Sequence, residues 1–297
     1  MELDRPADAL RDEDMTVRRS TRVPLRPFVS PLRYPGGKAR LYPKLREIIR
    51  RNGLAGCTYV EPYAGGAGAA LALLVSGQVA QIVINDLDPA IAAFWRTLVE
   101  EPKYITERIR KARLNVKEWR RQKDTYATAD TSDQAALGFA TFYLNRTNRS
   151  GVLNAGPIGG LDQSGNYKID ARFNREALCE RIRIISLCAQ RIAVTCEDGA
   201  AIIRRYASRA FIYADPPYFE KAGSLYLNAF EDADHEALAS VLNIRADKKW
   251  ILTYDNDSKV DDLYPERRRR PFDLYYSAHR VTKATEMMVL SDSLIVD

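Results

Sequence analysis

Six short apolar runs, separated by stretches of helical periodicity, constrain the fold of this chain more than any other feature. They are Thr58-Tyr59-Val60, Ile82-Val83-Ile84, Ile192-Ala193-Val194-Thr195, Phe211-Ile212-Tyr213, Trp250-Ile251-Leu252-Thr253 and Met287-Met288-Val289-Leu290. Between them, Leu41, Leu45, Ile48 and Ile49 share a helical face, and Asn174 precedes the periodic Leu178, Ile182 and Ile185. Asp88-Pro89 reads as a helix N-cap followed by proline at the first helical position. Strands alternating with helices predict an α/β fold built on a mainly parallel, doubly wound sheet.

One interval breaks the alternation. From about residue 97 to 190 the chain is helix-like, rich in Arg, Lys and Tyr, with a glycine-rich and strand-poor centre at 150–168. That centre far exceeds a connection of roughly four to six residues, so 97–190 is expected to be an inserted subdomain. Residues 1–30 are crowded with charge and proline and read as a mobile arm, with Met15 as an alternative start. The flanking segments 31–96 and 191–297 then form one domain. No apolar run approaches the roughly 18 residues of a membrane span, and no secretory leader is recognisable, which predicts a soluble, intracellular protein. Cys57, Cys179, Cys188 and Cys196 form no Cys-x-x-Cys pair and only His235 and His279 supply imidazole, a pattern against a zinc site or a disulfide framework. The net charge of +6 favours a polyanionic partner.

Three turns carry candidate chemistry. The run Ile212 to Ala214 ends in Asp215-Pro216-Pro217-Tyr218, where the strand must stop because proline has no N–H for the ladder. The resulting rigid rim offers a carboxylate at Asp215, a free carbonyl at Pro216 and a flat ring at Tyr218, groups able to hold a planar, amine-bearing ring. An ordinary turn is the other reading. The run Val60 to Gly68, Val-Glu-Pro-Tyr-Ala-Gly-Gly-Ala-Gly, is a strand entering a glycine-rich turn and then an Ala/Leu helix, which lets backbone approach a ligand closely. It lacks the Gly-Lys-Ser/Thr ending of a P-loop, an argument against nucleoside triphosphate hydrolysis. Asp86, ending the next strand after Asn85, stands where a doubly wound fold sets an acid against ribose hydroxyls, while Asp88 suits the following helix cap. Upstream, Tyr34 and Lys38 flank a glycine turn. Arg267 to Arg270 is a basic run that suits either solvent or phosphate. His235 starts a helical pattern with Leu238, Val241 and Leu242, and its expected role is structural.

In this order these pieces resemble the Dam-type, alpha-class, site-specific DNA adenine methyltransferases. The resemblance covers about residues 31–294 and rests on Tyr-Pro-Gly-Gly-Lys at 34–38, the motif at 60–68, Asn-Asp at 85–86, Phe-Tyr-Leu-Asn-Arg at 142–146 and Asp-Pro-Pro-Tyr at 215–218. It implies a Rossmann-like class I methyltransferase fold with a mixed sheet and an inserted, mainly helical target-recognition subdomain. S-adenosylmethionine is the implied cofactor. Tyr34 and Lys38 are then expected to contact it, Glu61, Pro62, Tyr63 and Gly65 to pass beside its methionine part, Asp86 to hold its ribose, and Asp215 to border it. Asp198 suits either the cofactor adenine or a helix N-cap. Asp215, Pro216, Pro217 and Tyr218 are the implied catalytic group, acting on a base flipped out of duplex DNA, with Tyr218 stacked upon it. Asp at the first motif position points to adenine N6, since a related group acting on cytosine N4 often carries serine there.

Within the insertion, Arg146, Asn148, Arg149 and Ser150 are the types that read base edges or phosphates, and the family carries DNA contacts in this region. The sequence after Asn145-Arg146 departs from the GATC-specific members, so their recognition site is not carried over. The resemblance further implies double-stranded DNA as partner, action as a monomer and a cytoplasmic, nucleoid-associated location, and it leaves open a restriction, a phage-defence or an orphan regulatory setting. The competing readings are cytosine N4 or RNA methylation, a non-catalytic DNA-binding regulator on the same fold, and a nicotinamide-dependent oxidoreductase using the same sheet.

Overall fold

A computed structural model describes residues 29–33, 38–219, 230–277 and 281–296. The expectation of a mobile arm falls almost wholly, and that of Tyr34 wholly, outside the described residues. All six apolar runs are strands. Five are parallel: β1 (Thr58–Glu61), β2 (Gln81–Asn85), β3 (Ile192–Thr195), β4 (Ala210–Ala214) and β5 (Trp250–Asp255). A hairpin of β6 (Arg268–Ser277) and β7 (Val281–Leu290) completes a seven-stranded sheet, in which β7 lies antiparallel to β5 with Ile251 opposite Leu290. The order 3-2-1-4-5-7-6 places β1 beside β4, the point where the winding reverses. This is the mixed, doubly wound Rossmann-like sheet expected of a class I methyltransferase.

The basic run at 267–270 enters an edge strand, and three of its arginines are engaged within the fold. Arg267 pairs with Asp292, Arg268 donates to the carbonyl of Ser291 at 2.8 Å, and Arg269 pairs with Asp261 at 3.1 Å. Charged side chains on an edge also discourage pairing with a second chain.

The side-chain period of the strands explains why the sheet is covered on both faces. Tyr59, Ile82, Ile84, Phe211, Tyr213 and Ile251 point into one cluster, whereas Val60, Val83, Ile212, Ala214, Trp250 and Leu252 point into the other. The first is closed by α1 (Tyr42–Arg51), α2 (Gly68–Val75) and α3 (Pro89–Glu100), through Leu45, Ile48, Leu71, Phe94 and Trp95. Helices α8 (Gly199–Tyr206), α9 (Asp232–Asn243) and α10 (Ser258–Leu263) close the second with Ile202, Leu238, Leu242 and Val260. Helix α3 starts as its sequence predicts: Asp88 Oδ1 accepts from Ala90 N at 2.8 Å, and Pro89 occupies the first turn.

Between α3 and β3 lie α4 (Pro102–Lys111), α5 (Val116–Thr128), α6 (Gln134–Thr147) and α7 (Arg175–Ser186), with 148–174 largely irregular. The helices share the core of the sheet layer. Phe142 of α6 stacks on Phe94 of α3 at 5.8 Å between ring centroids, and Phe139, Tyr143 and Phe173 extend the same cluster. Gly138 makes the crossing possible, because a Cβ there would meet Thr97 Oγ1 at 2.6 Å and the Ala93 carbonyl oxygen at 2.7 Å. No helix among the described residues is long and apolar enough to cross a membrane.

Candidate active site

The functional side chains gather at the carboxyl ends of the parallel strands, around the β1–β4 switch point. Asp215 follows β4 directly, where Pro216 and Pro217 turn the chain away. Lys38 begins a short 3₁₀ turn, Lys38–Leu41, whose Ala39 packs against Gly68: a Cβ on that glycine would stand 3.1 Å from Ala39 Cβ. The glycine-rich turn thus seats the segment that delivers Lys38. Thr253 sits on β5 and Glu286 on β7, opposite Asp255 in the register.

These side chains form one hydrogen-bonded cluster. Thr253 Oγ1 donates to Asp215 Oδ1 at 2.6 Å, the Tyr218 hydroxyl is 3.0 Å from the same oxygen, and Lys38 Nζ lies 3.3 Å from it. Because Thr253 has a single hydroxyl proton, the 2.9 Å contact with the Tyr213 hydroxyl makes Tyr213 the donor there. A buried relay therefore runs Tyr213 to Thr253 to Asp215. Lys38 Nζ also pairs with Glu286 Oε2 at 2.9 Å and donates to the Tyr218 hydroxyl. Among the described residues, the side-chain contacts on Asp215 converge on Oδ1. Among the described residues nothing donates to Oδ2, and nothing donates to the Pro216 carbonyl. The Asp215 side chain is 22% exposed, so this oxygen faces an accessible space.

Two features differ from the motif-based expectations. The Tyr218 ring is buried, with Lys38 Nζ 4.9 Å from its centroid and the Tyr254 ring tilted against it, so it presents no broad face for a stacked base. Burial, reinforced by the Asp215 and Glu286 charges, holds its phenol well above the usual range. Lys38, expected at the cofactor, is itself buried and engaged by Asp215, Glu286 and Tyr218.

On the β1 side, the acids hold the ligand-facing turn together. Glu61 Oε1 accepts from Ala70 N at 2.9 Å and from the Tyr59 hydroxyl at 3.2 Å, which ties the end of β1 to the first turn of α2. Burial, with a smaller push from the Asp215 charge, raises its carboxyl to about 8 despite those bonds. Asp86 Oδ2 accepts from Gly65 N at 2.9 Å and Oδ1 from Asp88 N at 3.0 Å; burial raises it to about 6. The side chain of Asn85 spans three strand ends: Nδ2 donates to the Pro62 and Glu197 carbonyls at 2.8 and 2.9 Å, and Oδ1 accepts from Thr195 Oγ1 at 2.8 Å. Trp95 Nε1 donates to the Gly65 carbonyl at 2.8 Å, which makes this tryptophan part of the support. Tyr63 meets Phe230 edge to face at 5.6 Å. Asp198 is the N-cap of α8, accepting from Ala201 N at 2.8 Å; the cap alternative describes it.

The four residues expected at DNA divide. Asn148 is fully buried and clamps the loop: Oδ1 accepts from Trp119 Nε1 at 2.7 Å, and Nδ2 donates to the Val152 and Leu153 carbonyls at 2.9 Å each. Arg146 donates through Nε to the Arg172 carbonyl at 2.8 Å, and burial followed by the Arg33, Arg181 and Arg172 charges lowers it to about 9. Both serve the architecture of the loop. Arg149 is exposed, and Ser150, at φ 55°, occupies a left-handed conformation beside it. These two line a cleft of about 280 Å³ with Arg33, Tyr167 and Arg172. The reciprocal pair Arg33 N to Asn145 Oδ1, 2.7 Å, and Asn145 Nδ2 to the Arg33 carbonyl, 2.7 Å, joins this cleft to the segment that leads to Lys38.

Sequence reasoning missed Thr253, Tyr213 and Glu286 as site residues, and the clamping roles of Asn145 and Asn148. For Glu286 a signal existed: an acid alternating with Met288 and Leu290 occupies an inward position of a strand. No group of three or more acidic, His or Cys side chains fit to hold a metal occurs among the described residues.

Comparison with known proteins identifies the family. The retron Ec67 DNA adenine methylase of Escherichia coli is 24% identical over 281 residues, covering 88% of this chain and 90% of the relative. The type II methyltransferase M.MjaIII of Methanocaldococcus jannaschii is 21% identical over 207 residues, 65% of this chain and 69% of its own. Among solved structures, the rRNA methyltransferase AviRa of Streptomyces viridochromogenes overlaps 84% of each chain at 13% identity, with a TM-score of only 0.35. Residues 34–287, most of the chain and all the elements around the Asp215 cluster, match a single family, and the chain belongs to the D12 class of N6 adenine-specific DNA methyltransferases.

Proposed function

We propose that Asp215 Oδ2 and the Pro216 carbonyl accept the two N6 hydrogens of the target adenine, and that S-adenosylmethionine is held across the glycine-rich turn at residues 61–68. The observation that carries this reading is the asymmetry of Asp215, whose Oδ1 is held by Thr253, Tyr218 and Lys38 while Oδ2 is left to a ligand. The crevice suits a cationic donor: the Asp86 and Asp215 carboxylates border the carboxyl edge of the sheet, and their charge favours a sulfonium. When bound, S-adenosylmethionine supplies an electrophilic methyl group on a good leaving group. Asp86, with lone pairs left after its two backbone contacts, is the acceptor for ribose hydroxyls. Gly65 and Pro62, fixed by Trp95 and Asn85, shape the ledge on which the cofactor lies. The contribution of the protein is then orientation: two acceptors on a rigid rim point the amine lone pair along one line, a form of catalysis able to supply several kcal/mol. Lys38 and Thr253 act on the acceptor from behind, and Tyr218 acts through its hydroxyl.

The cleft of Arg33, Arg149, Ser150, Tyr167 and Arg172 is assigned to duplex DNA. Burial, followed by the Arg172 charge, lowers Arg33 in this cleft, and a phosphate relieves the repulsion between the two. Action as a monomer is part of the same reading, and size-exclusion chromatography with and without duplex decides it. A cognate restriction or defence system is the assigned setting, which co-expression with neighbouring genes tests. The test of the catalytic assignment is Asp215→Ala with radiolabelled S-adenosylmethionine and duplex DNA. Methyl incorporation should vanish while the melting curve is kept, and substantial residual incorporation removes Asp215 from the acceptor role.

A further inference from the structure

Glu286 is a carboxylate on the inward face of a strand. Along β7 it alternates with Met288 and Leu290, both in the main core, and it is 1% exposed. An ion in such a place costs several kcal/mol unless it is paired. Its partners are the side chains that hold the amine acceptor. Oε2 pairs with Lys38 Nζ at 2.9 Å and lies 2.9 Å from the Tyr218 hydroxyl, while Lys38 stands 3.3 Å from Asp215 Oδ1. The ammonium is thus shared between two carboxylates and sits nearer Glu286. Tyr218, with one hydroxyl proton, has both carboxylates within reach.

We propose that Glu286 is a positioning residue for methyl transfer: it draws the Lys38 ammonium and the Tyr218 hydroxyl toward β7, so that Asp215 stays aligned and keeps its full acceptor strength at Oδ2. The proposal rests on the assignment of Asp215 as acceptor of the target amine. Without the Glu286 charge, Asp215 is the carboxylate Lys38 still pairs with among the described residues, and the ammonium closes on it, weakening and rotating the carboxylate that the amine needs. Neither the cofactor ledge, built from Glu61, Asn85, Asp86 and Trp95, nor the arginine cleft includes Glu286. The effect is therefore confined to the chemical step.

The experiment compares the full-length wild type with Glu286→Gln and Glu286→Asp, using radiolabelled S-adenosylmethionine and bacterial genomic DNA free of adenine methylation. Four quantities are read: the single-turnover rate, the Kd for S-adenosylhomocysteine, the Kd for the DNA, and the melting curve. Glu286→Gln should lose about a hundredfold in rate, the scale of a small misplacement near reacting atoms, with both affinities and the melting curve kept. Glu286→Asp, which retains the charge on a shorter arm, should recover part of the rate. A folded Glu286→Gln at wild-type rate overturns the proposal, as does a rate loss matched by loss of cofactor affinity. Should Glu286→Gln fail to fold, Glu286→Asp decides, with reduced rate at unchanged affinities in support and wild-type rate against. Asp215→Ala in the same assay separates the two assignments: if it is active, the acceptor reading falls, whereas an inactive Asp215→Ala beside a fully active Glu286→Gln removes only the role of Glu286.

Discussion

Two carboxylates, Asp215 and Glu61, do opposite work within the same crevice. Asp215 is partly open and held on one oxygen, suited to accept hydrogens from a ligand. Glu61 is closed in, with its carboxyl raised to about 8, and it holds the start of α2. A raised folded value means that the native state keeps a proton which the unfolded chain has lost. The stability this contributes is complete below the unfolded value near 4.5 and is lost as pH rises through about 8. Wild type should therefore lose stability across that window relative to Glu61→Gln, in denaturant titrations at several pH values; parallel curves contradict the burial argument. Asp215-Pro216-Pro217-Tyr218 was legible in the sequence because its constraint is local, proline ending a strand. Thr253 and Glu286 were not, since they reach the motif from 38 and 68 positions away, and only the register of β4, β5 and β7 brings them there.

At the scale of elements, caps and apolar runs carried the reading. Asp88-Pro89 and Asn174 start helices as their side chains predict, Asn174 Oδ1 accepting from Ala177 N at 2.9 Å. Strand β6 escaped because an edge strand need not be apolar, and Arg268 to Arg270 hid its period behind charge. The loop after α6 misled for a related reason: Asn148 has a DNA-reading side chain, yet a buried turn spends it on its own backbone. His235 is structural, its ring stacked on Phe219 at 3.8 Å and its Nδ1 2.7 Å from the Tyr254 hydroxyl. The helix pair α3 and α6 joins the sheet to the loop region through Phe94 and Phe142. Phe142→Ala should cost about 3–5 kcal/mol of stability in chemical denaturation. It should also lower DNA affinity more than cofactor affinity, because α6 leads into the arginine cleft; a loss under 1 kcal/mol, short of the range for buried aromatic truncation, contradicts the shared core.

The whole molecule sets an acidic crevice at the sheet edge beside a basic cleft on the irregular segment that follows α6, with Asn145 bonded to Arg33 of that cleft. One surface suits a cationic methyl donor and the other a phosphate backbone. Arg149→Ala should weaken DNA binding, flatten the logarithmic salt dependence by about one charge if it meets a phosphate, and leave S-adenosylhomocysteine binding untouched. Unchanged DNA affinity and site preference remove Arg149 from the interface. The doubly wound order was legible from the six apolar runs, and the family from motifs in sequence order. How the basic cleft is built was not, because its residues, from Arg33 to Arg172, meet only in the folded chain.

The chain is expected to methylate adenine in DNA through Asp215. Sequencing-based mapping of modified bases, in DNA from cells expressing the wild type or Asp215→Ala, tests it most directly. N6-methyladenine at one recurring motif with the wild type, and none with Asp215→Ala, is the expected result. The same methylated sites in both samples, or modification of cytosine instead, contradict the account.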